Sequence, residues 1–376
     1  MENSPSFIPL ASYGYVDGEP IIVTRHNSFH PLAIGFVLHT TKSSITVYCD
    51  KPLQKGQQTV FDEKTLYNIE KDSYSSGMSS IRGNLFEMFV DPTYSRLKQL
   101  IVDTKPPGYY PYQPEYIEKY QKELNSDQVH ALLKVNASQD YTLLLGMPGT
   151  GKTTTIACMI EMLLKRGKSI LVVAYTHSAV DNILLKLVDK EIEFVRLGSV
   201  KKMHPRIRDI VESEREALDN LEKISIYYDS ARVVATTALG ANHPIFTRRR
   251  FDYCIVDESS QIVLPICIGP LKFSDKFVLV GDHYQLPPLF AQSDENHVEP
   301  VSLFKHLCEA NPQAITYLSL QYRMNQDIML LTNHLVYEYR LLCANESVAK
   351  KQLEIPNVHL QECDSQCWIN QVLKEK

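Results

Sequence analysis

The chain has no paired cysteines. Its eight (Cys49, Cys158, Cys254, Cys267, Cys308, Cys343, Cys363 and Cys367) are scattered over 376 residues without the spacing of a disulfide framework or a zinc site. This excludes a small cross-linked extracellular fold and leads us to expect a reduced, intracellular compartment. Cys363 and Cys367 have no second Cys or His pair beside them to complete a tetrahedral site. A basic excess is also lacking. The formal net charge is −5, so no global field announces nucleic acid, although a motor can confine its basic contacts to one channel. No apolar run reaches the roughly 20 residues that cross a bilayer. The segment from Met1 to Phe7 lacks the charged and apolar regions of a secretory signal, so a soluble protein with no membrane partner is expected. There is no internal repeat and no low-complexity tract. What remains is an ordinary globular composition, 44% hydrophobic and 22% charged, long enough for two or three domains.

The most informative stretch is Leu143-Leu144-Leu145-Gly146-Met147-Pro148-Gly149-Thr150-Gly151-Lys152-Thr153. A short apolar run from Tyr141 to Leu145 is buried-strand material. Three glycines then allow a tight turn with inward-pointing N–H groups, and a helix begins near Lys152. Phosphates would meet both an amide nest and a positive helix end. The full spacing is that of a Walker A P-loop. It predicts contacts to ATP from Gly146, Met147, Pro148, Gly149, Thr150, Gly151, Lys152 and Thr153, with Lys152 on the β- and γ-phosphates and Thr153 on Mg²⁺.

Residues from about 10 to 100 read as a strand-rich module. Ile21–Thr24 is short and β-branched, and Ala33–His39 and Ser44–Cys49 flank the polar Thr40-Thr41-Lys42-Ser43, the pattern of an antiparallel hairpin. A small β-barrel is expected. Tyr94–Val102 looks helical, and the Pro- and Tyr-rich segment 104–115 breaks regular structure as a linker. Its tyrosines suit packing on a neighbouring surface, the commoner role, or stacking on bases. Beyond it, short apolar strands alternate with amphipathic helices, the mark of an α/β fold with a parallel sheet covered on both faces. The expected strands are Tyr141–Leu145, Ile170–Tyr175, Phe194–Leu197, Arg232–Thr236, Tyr253–Val256, Phe277–Val280 and Thr316–Leu320. Helices are expected at about 116–135, 152–166, 178–189, 302–310 and 325–336, and residues 202–228 form a charged helical excursion.

Three further blocks follow strands. Cys254-Ile255-Val256-Asp257-Glu258 ends an apolar strand in two acids. Alone this is a common surface turn; downstream of a Walker A, Asp257 suits Mg²⁺ and Glu258 suits the attacking water. Gly281-Asp282-His283-Tyr284-Gln285-Leu286-Pro287-Pro288 places Gln285 at the carboxyl edge of the sheet as a γ-phosphate sensor. Gln321-Tyr322-Arg323-Met324 offers an arginine for phosphate charge and a tyrosine able to stack on a base.

The order and wording of these blocks resemble the ATPase motifs of superfamily 1 helicases of the 5′-to-3′ branch. Ala174 to Leu187 and Asn242-His243-Pro244-Ile245-Phe246 resemble, more narrowly, the eukaryotic DNA replication ATP-dependent helicase/nuclease family. The resemblance runs from about residue 20 to 350. It takes in Arg82-Gly83-Asn84-Leu85 and Leu97–Asp103, which fit the family's barrel and stalk. It implies a RecA-like P-loop NTPase domain at 116–350, preceded by the module at 1–103 and the linker at 104–115. It gives Gln128 an adenine-reading role, though an exposed helical glutamine is the plainer reading. It sets Thr176, His177, Ser178, Asn182, Thr236 and Thr237 against a single-strand backbone; one of these hydroxyls can cap its helix as well. Ser259 and Tyr284 depart from the family's usual Ala and Gln, at positions without a metal or water role.

The resemblance also implies a second RecA-like domain and a nuclease domain. No block resembling either follows; residues 351–376 are an unassigned tail, and Ile355 to Lys376 is expected not to match the family. The expectation is a fragment, an incomplete gene model or a truncated isoform with little activity alone. ATP and Mg²⁺ are the implied cofactors; single-stranded DNA and a single-strand-binding protein are the implied partners. The implied location is the nucleus, with mitochondria as a second site. An RNA helicase of the nonsense-mediated-decay type shares the ATPase motifs, although the Asn242–Phe246 block favours the DNA enzyme. A non-motor module that binds ATP and nucleic acid without turnover is the alternative from another class.

Overall fold

The structure, a computed structural model, describes residues 20–26, 31–40, 44–52, 65–71, 79–112, 117–216, 221–241, 243, 245–288 and 301–351. They fall into two compact units, residues 1–83 and 84–376. In the first, β1 (Pro20–Arg25), β2 (Pro31–Thr40), β3 (Ile45–Pro52) and β4 (Tyr67–Lys71) form an antiparallel sheet in the order β3-β2-β1-β4. Ile21, Val23 and Val37 are buried, with Ile45, Val47, Tyr67 and Ile69 packed on them. Alternate residues therefore face one small core, as a period of two requires. The hairpin expected around residues 40–43 is the β2–β3 pair; residues 41–43 lie outside the described residues. β3 and β4 are the two edges of the sheet, so the described residues show an open four-stranded sheet, not a closed barrel.

The second unit is built on a seven-stranded parallel sheet: β5 (Tyr141–Gly146), β6 (Ile170–Ala174), β7 (Val195–Arg196), β8 (Val233–Thr237), β9 (Phe251–Asp257), β10 (Ser274–Gly281) and β11 (Ile315–Leu318). Their spatial order is β11-β5-β10-β9-β6-β8-β7. All seven coincide with strands read from the sequence, and the reason is burial on two sides. Tyr141, Leu143, Leu145, Leu171, Val173, Cys254, Val256 and Leu279 enter one core. Leu144, Ile170, Val172, Ala174, Ile255, Val278 and Val280 enter the other. Most strand positions are thus apolar, with Thr142, Arg196, Thr236, Asp257 and Thr316 as buried polar exceptions. Burying an apolar side chain fully stabilises by about 1.5–3 kcal/mol.

The α-helices among the described residues, in chain order, are α1 (Ser79–Val90), α2 (Ser95–Ile101), α3 (Ser126–Ala137), α4 (Lys152–Lys165), α5 (His177–Val188), α6 (Pro205–Glu216), α7 (Leu221–Ser230), α8 (Ile245–Arg248), α9 (Leu264–Leu271), α10 (Leu303–Ala310), α11 (Gln326–Thr332) and α12 (Glu346–Ala349). α3 to α6 cover one face, through residues such as Leu132, Ile156, Ile183 and Ile207. α1, α2, α8, α9 and α10 cover the other, through Met88, Ile101, Phe246, Ile268 and Phe304. Short strands β12 (Leu320–Gln321) and β13 (Leu342–Cys343) pair in parallel beside it.

One expected helix is split. Residues 118–122 form a 3₁₀ turn, and α3 starts afresh at Ser126 because Asn125 caps it. The Asn125 side chain accepts from Gln128 N (3.0 Å) while Asn125 N donates to Gln128 Oε1 (3.2 Å), a reciprocal box that satisfies two orphan amides. The described part of the linker, residues 104–112, has no helix or strand. It is tied to the end of α3, where Tyr110 N donates to Ala137 O (2.7 Å) and Gln139 N to Gly108 O (2.9 Å).

Glu161 anchors α4 from behind. Its carboxylate accepts from Lys119 (2.7 Å), Lys165 (2.8 Å) and Lys190 (2.9 Å). Burial pushes its pKa up, but the three ammonium groups outweigh burial and hold it at about 2, against an ordinary 4.5. A depressed carboxylate pKa contributes stability above about 4.5 that is lost as pH falls towards about 2. The melting temperature of the wild type should therefore fall more steeply across that window than that of Glu161→Gln. Parallel curves would contradict this reading of the cluster.

Candidate nucleotide and nucleic-acid site

The P-loop leaves the carboxyl end of β5 and runs straight into α4. Gly149 (φ 74°) and Gly151 (φ 81°) take the left-handed conformation that glycine adopts without steric cost. Crowding is the stronger constraint. A Cβ on Gly146 would lie 2.3 Å from Lys152 Cγ, one on Gly149 2.7 Å from Arg323 Cβ, and one on Gly151 2.6 Å from Gln128 Nε2. Lys152 Nζ donates to Gly146 O (2.7 Å), and Thr150 Oγ1 donates to Met147 O (2.7 Å). Gln128, 4% exposed, donates from Nε2 to Thr150 O (3.1 Å), so it is a buried partner of the loop and not an exposed helical glutamine. Tyr322 N donates to Gly149 O (2.9 Å), and the Tyr322 hydroxyl accepts from Asn125 Nδ2 (2.9 Å). Segments separated by almost two hundred residues thus meet on one loop.

Asp257 and Glu258 stand at the end of β9. Asp257 is 4% exposed. Burial first, then the Glu258 charge, pushes its pKa up to about 7, while the Glu258 N–H (2.9 Å) and Lys152 oppose the rise. A buried acid that is costly to ionise alone is a donor that a nearby divalent cation would hold in its charged form. Glu258 adopts φ 52°, outside the regions usual for a non-glycine residue, and its carboxylate accepts from Gln261 Nε2 (3.1 Å).

At the end of β10, Asp282 (2% exposed) holds Gln285 by Nε2 (2.6 Å). Gln285 itself is exposed. Gln321 is completely buried; its Oε1 accepts from Arg323 N (2.8 Å) and Met324 N (2.7 Å), and its Nε2 donates to Met324 O (2.7 Å). Arg323 is exposed on the turn that Gln321 fixes.

The other expected residues follow β6 and β8, two strands in register at Ala174–Thr237. Thr176 caps α5, its Oγ1 accepting from Ala179 N (3.2 Å) and lying 3.1 Å from Ser178 Oγ. Ser178 and Asn182 are exposed. His177 Nδ1 lies 3.0 Å from Arg196 Nη2, and burial first, then the Arg196 charge, lowers its pKa. Arg196 in turn forms an ion pair with Asp181 (3.0 Å), both buried. Removing one partner of such a pair costs about 3–5 kcal/mol. Of the two threonines, Thr236 is 1% exposed, and a Cβ on Gly240 would lie 2.3 Å from its Oγ1; Thr237 is partly exposed. Asn242 and Pro244 lie outside the described residues.

The site thus has two groups. Gln128, the P-loop from Gly146 to Thr153, Tyr322 and Arg323 share direct contacts, with Asp257, Glu258 and Gln285 on the neighbouring strand ends. The β6 and β8 residues form the second group on the same sheet edge. Sequence reasoning missed Asn125, although Asn-x-x-Gln before an apolar run is a readable capping box. It also missed Asp127, whose Oδ2 accepts from Ser319 N (2.9 Å) and Oγ (2.5 Å), a link no local pattern announces.

Ser259 is completely buried and donates to Val280 O (2.8 Å). Ser259→Ala should lower unfolding free energy in urea by about 0.5–1.5 kcal/mol, the worth of one such bond, with nucleotide affinity unchanged. A several-fold loss of affinity would give this hydroxyl a role in the site.

A profile described as an AAA domain matches residues 123–227 and 207–293, and a second AAA-domain profile matches 300–376, together more than half of the chain; the second match takes in the tail from Ile355 to Lys376, which was expected not to match the family. The chain is 40% identical to the DNA replication ATP-dependent helicase/nuclease of Schizosaccharomyces pombe, covering 96% of this chain and 28% of that protein. It is 41% identical to the Homo sapiens protein of that name, covering 90% and 33%. The chain thus spans about a third of the length of the curated relatives it matches. A solved arterivirus nonstructural protein 10 (helicase) with DNA superposes with a TM-score of 0.37 at 15% identity, over 62% of this chain and 48% of that one, a likeness too slight to carry weight. The relatives match along nearly all of this sequence, and the chain matches the helicase half of the DNA replication ATP-dependent helicase/nuclease family.

Proposed function

We propose that this chain is the ATP- and DNA-binding part of an ATP-dependent DNA helicase, acting in DNA replication and repair in the nucleus. One observation supports this most strongly. The three P-loop glycines are each pressed by a different side chain, Lys152, Arg323 or Gln128, at distances that no Cβ could tolerate. A glycine turn with no ligand would have no need of two distant segments, those of Gln128 and Arg323, converging on its backbone. The relatives are named as DNA helicase/nucleases, which favours this reading over an RNA helicase. In domain terms the reading is a strand-rich module at 1–103, a linker at 104–115 and a RecA-like ATPase domain at 116–350.

The residues have distinct tasks in it. The P-loop amides and the amino end of α4 hold phosphate oxygens, and Lys152 supplies a point charge at the β- and γ-phosphates. Gln128 reads the base and Tyr322 stacks beside it. Mg²⁺ held by Thr153 and Asp257 would shield phosphate charge. Glu258 orients and deprotonates the attacking water, and Gln285 and Arg323 contact the γ-phosphate. Ser178, Asn182 and Thr237, with the α5 amino end capped by Thr176, contact the backbone of a single strand, with His177 beside them.

Lys152→Ala should abolish measurable ATP binding in calorimetry, because amides alone do not replace a charge on the phosphates. Wild-type affinity in that variant would reject the nucleotide reading. The double variant Ser178→Ala, Thr237→Ala leaves the Thr176 cap in place. It should weaken binding of an oligothymidine about tenfold or more, two charge-assisted bonds being lost, while ATP affinity stays unchanged. Equal oligothymidine affinity in a fluorescence titration would remove the β6 and β8 edge from the strand path. ATP hydrolysis that single-stranded DNA accelerates would distinguish a motor from a binding module.

A further inference from the structure

Tyr337 lies 52 residues after Gln285 and in none of the blocks above, yet it reaches the same carboxylate. Its hydroxyl donates to Asp282 Oδ2 (2.9 Å), the oxygen that also accepts from Gln285 Nε2 (2.6 Å). Asp282 Oδ1 accepts from Tyr284 N (3.1 Å), and Asp282 N donates to Ser260 Oγ (3.2 Å). Asp282 is 2% exposed and Tyr337 5%. No lysine or arginine bonds to this carboxylate among the described residues, so hydrogen bonds alone fix its orientation. A buried carboxylate with two donors on one oxygen has little freedom to turn. Removing one of them releases it, and with it the exposed glutamine it holds.

The other end of Tyr337 is equally constrained. It closes a π-helical segment, Asn333–Tyr337, a rare geometry that recurs at functional positions. The two residues after it, Glu338 (φ 50°) and Tyr339 (φ 61°), are both left-handed without being glycine, a local cost the surrounding structure must offset. Asn333 at the start of the segment is buried and pairs with Leu341, Nδ2 to O at 2.7 Å and Oδ1 from N at 3.0 Å. Beyond it β13 pairs with β12, which ends in Gln321, the residue that fixes Arg323. Gln285 and Arg323 come from different strands, and this one substructure holds both.

We infer that Tyr337 is a positioning residue for Gln285: through Asp282 its hydroxyl sets the orientation in which the glutamine meets the terminal phosphate of a nucleoside triphosphate. The inference rests on the reading of Gln285 as the γ-phosphate contact. Burial and the Asp282 charge raise the phenol pKa, so the hydroxyl remains a donor throughout the neutral range. Tyr337 touches no phosphate itself. Its loss should therefore change discrimination between nucleotides and not binding in general.

The test compares affinities of the 376-residue chain for ADP and for a slowly hydrolysed ATP analogue with Mg²⁺, measured by fluorescent-nucleotide titration, in wild type, Tyr337→Phe, Gln285→Ala and the double variant. Phe keeps the ring and its edge contact with Tyr284 (6.1 Å, 76°). Tyr337→Phe should cut the preference for the triphosphate at least threefold with ADP affinity unchanged. The double variant should match Gln285→Ala, since two residues acting through one contact are not additive. If Gln285→Ala loses the preference and Tyr337→Phe keeps it, the inference falls while the sensor reading stands. If Gln285→Ala keeps it, the sensor reading falls and takes the inference with it. Equal weakening of ADP and triphosphate in Tyr337→Phe would make the tyrosine a structural support only and overturn the inference. Should Tyr337→Phe melt well below wild type, Asp282→Asn takes its place under the same criteria.

Discussion

The absence of Cβ atoms on one loop governs the arrangement of this site. Gly146, Gly149 and Gly151 are hemmed by Lys152, Arg323 and Gln128 at 2.3–2.7 Å from where a Cβ would stand. Backbone so exposed can turn its N–H groups to a phosphate chain, and side chains can approach from three directions. The approach is held by bonds that have nothing to do with a ligand. The Asn125–Gln128 capping box orients the glutamine, the buried Gln321 amide fixes the Arg323 turn, and the Glu161 lysine cluster anchors α4 from behind. The glycines make the convergence possible, and the supporting bonds keep it in one geometry.

The sheet divides the remaining labour. β5, β9, β10 and β11 end beside the P-loop; β6 and β8 end in the second group of polar residues, with buried Arg196 of β7 tying Asp181 and His177 to it. β9 lies between the two groups and brings Asp257 and Glu258 to the boundary, where Asp257 is level with Ala174 of β6. A change at one end of the site need cross only neighbouring strands to reach the other. The Asp282–Tyr337 contact extends the same logic outward, to a surface that exposes Leu335, Val336, Tyr339 and Leu342.

The sheet was fully legible in the sequence because burial on both faces makes most strands predominantly apolar runs, and such a run survives without tertiary information. The P-loop was legible because its spacing reflects local backbone chemistry. The open sheet of the first unit was read only in part. β4, Tyr-Asn-Ile-Glu-Lys, is half polar and short. α1 contains Gly83 and Asn84 and leaves Phe86, Phe89 and Val90 exposed, so its apolar residues trace no single face. The break before α3 had a readable signal in Asn125 and Gln128 that helical periodicity overrode. Asp127–Ser319, Gln128–Thr150 and Tyr337–Asp282 had none: each joins residues 22 to 192 positions apart, and only the folded chain brings them together.

The most direct measurement is ATP affinity in Gly149→Ala, where a single methyl would meet Arg323 Cβ at 2.7 Å on a backbone with φ 74°. The loop is at the surface of a large core, so the fold should survive and the melting curve stay cooperative. Calorimetric titration with ATP and Mg²⁺ should then show affinity reduced by at least about tenfold, 1.4 kcal/mol. Wild-type affinity in a folded Gly149→Ala variant would contradict the account, because the close approach at that glycine would then have no bearing on the nucleotide.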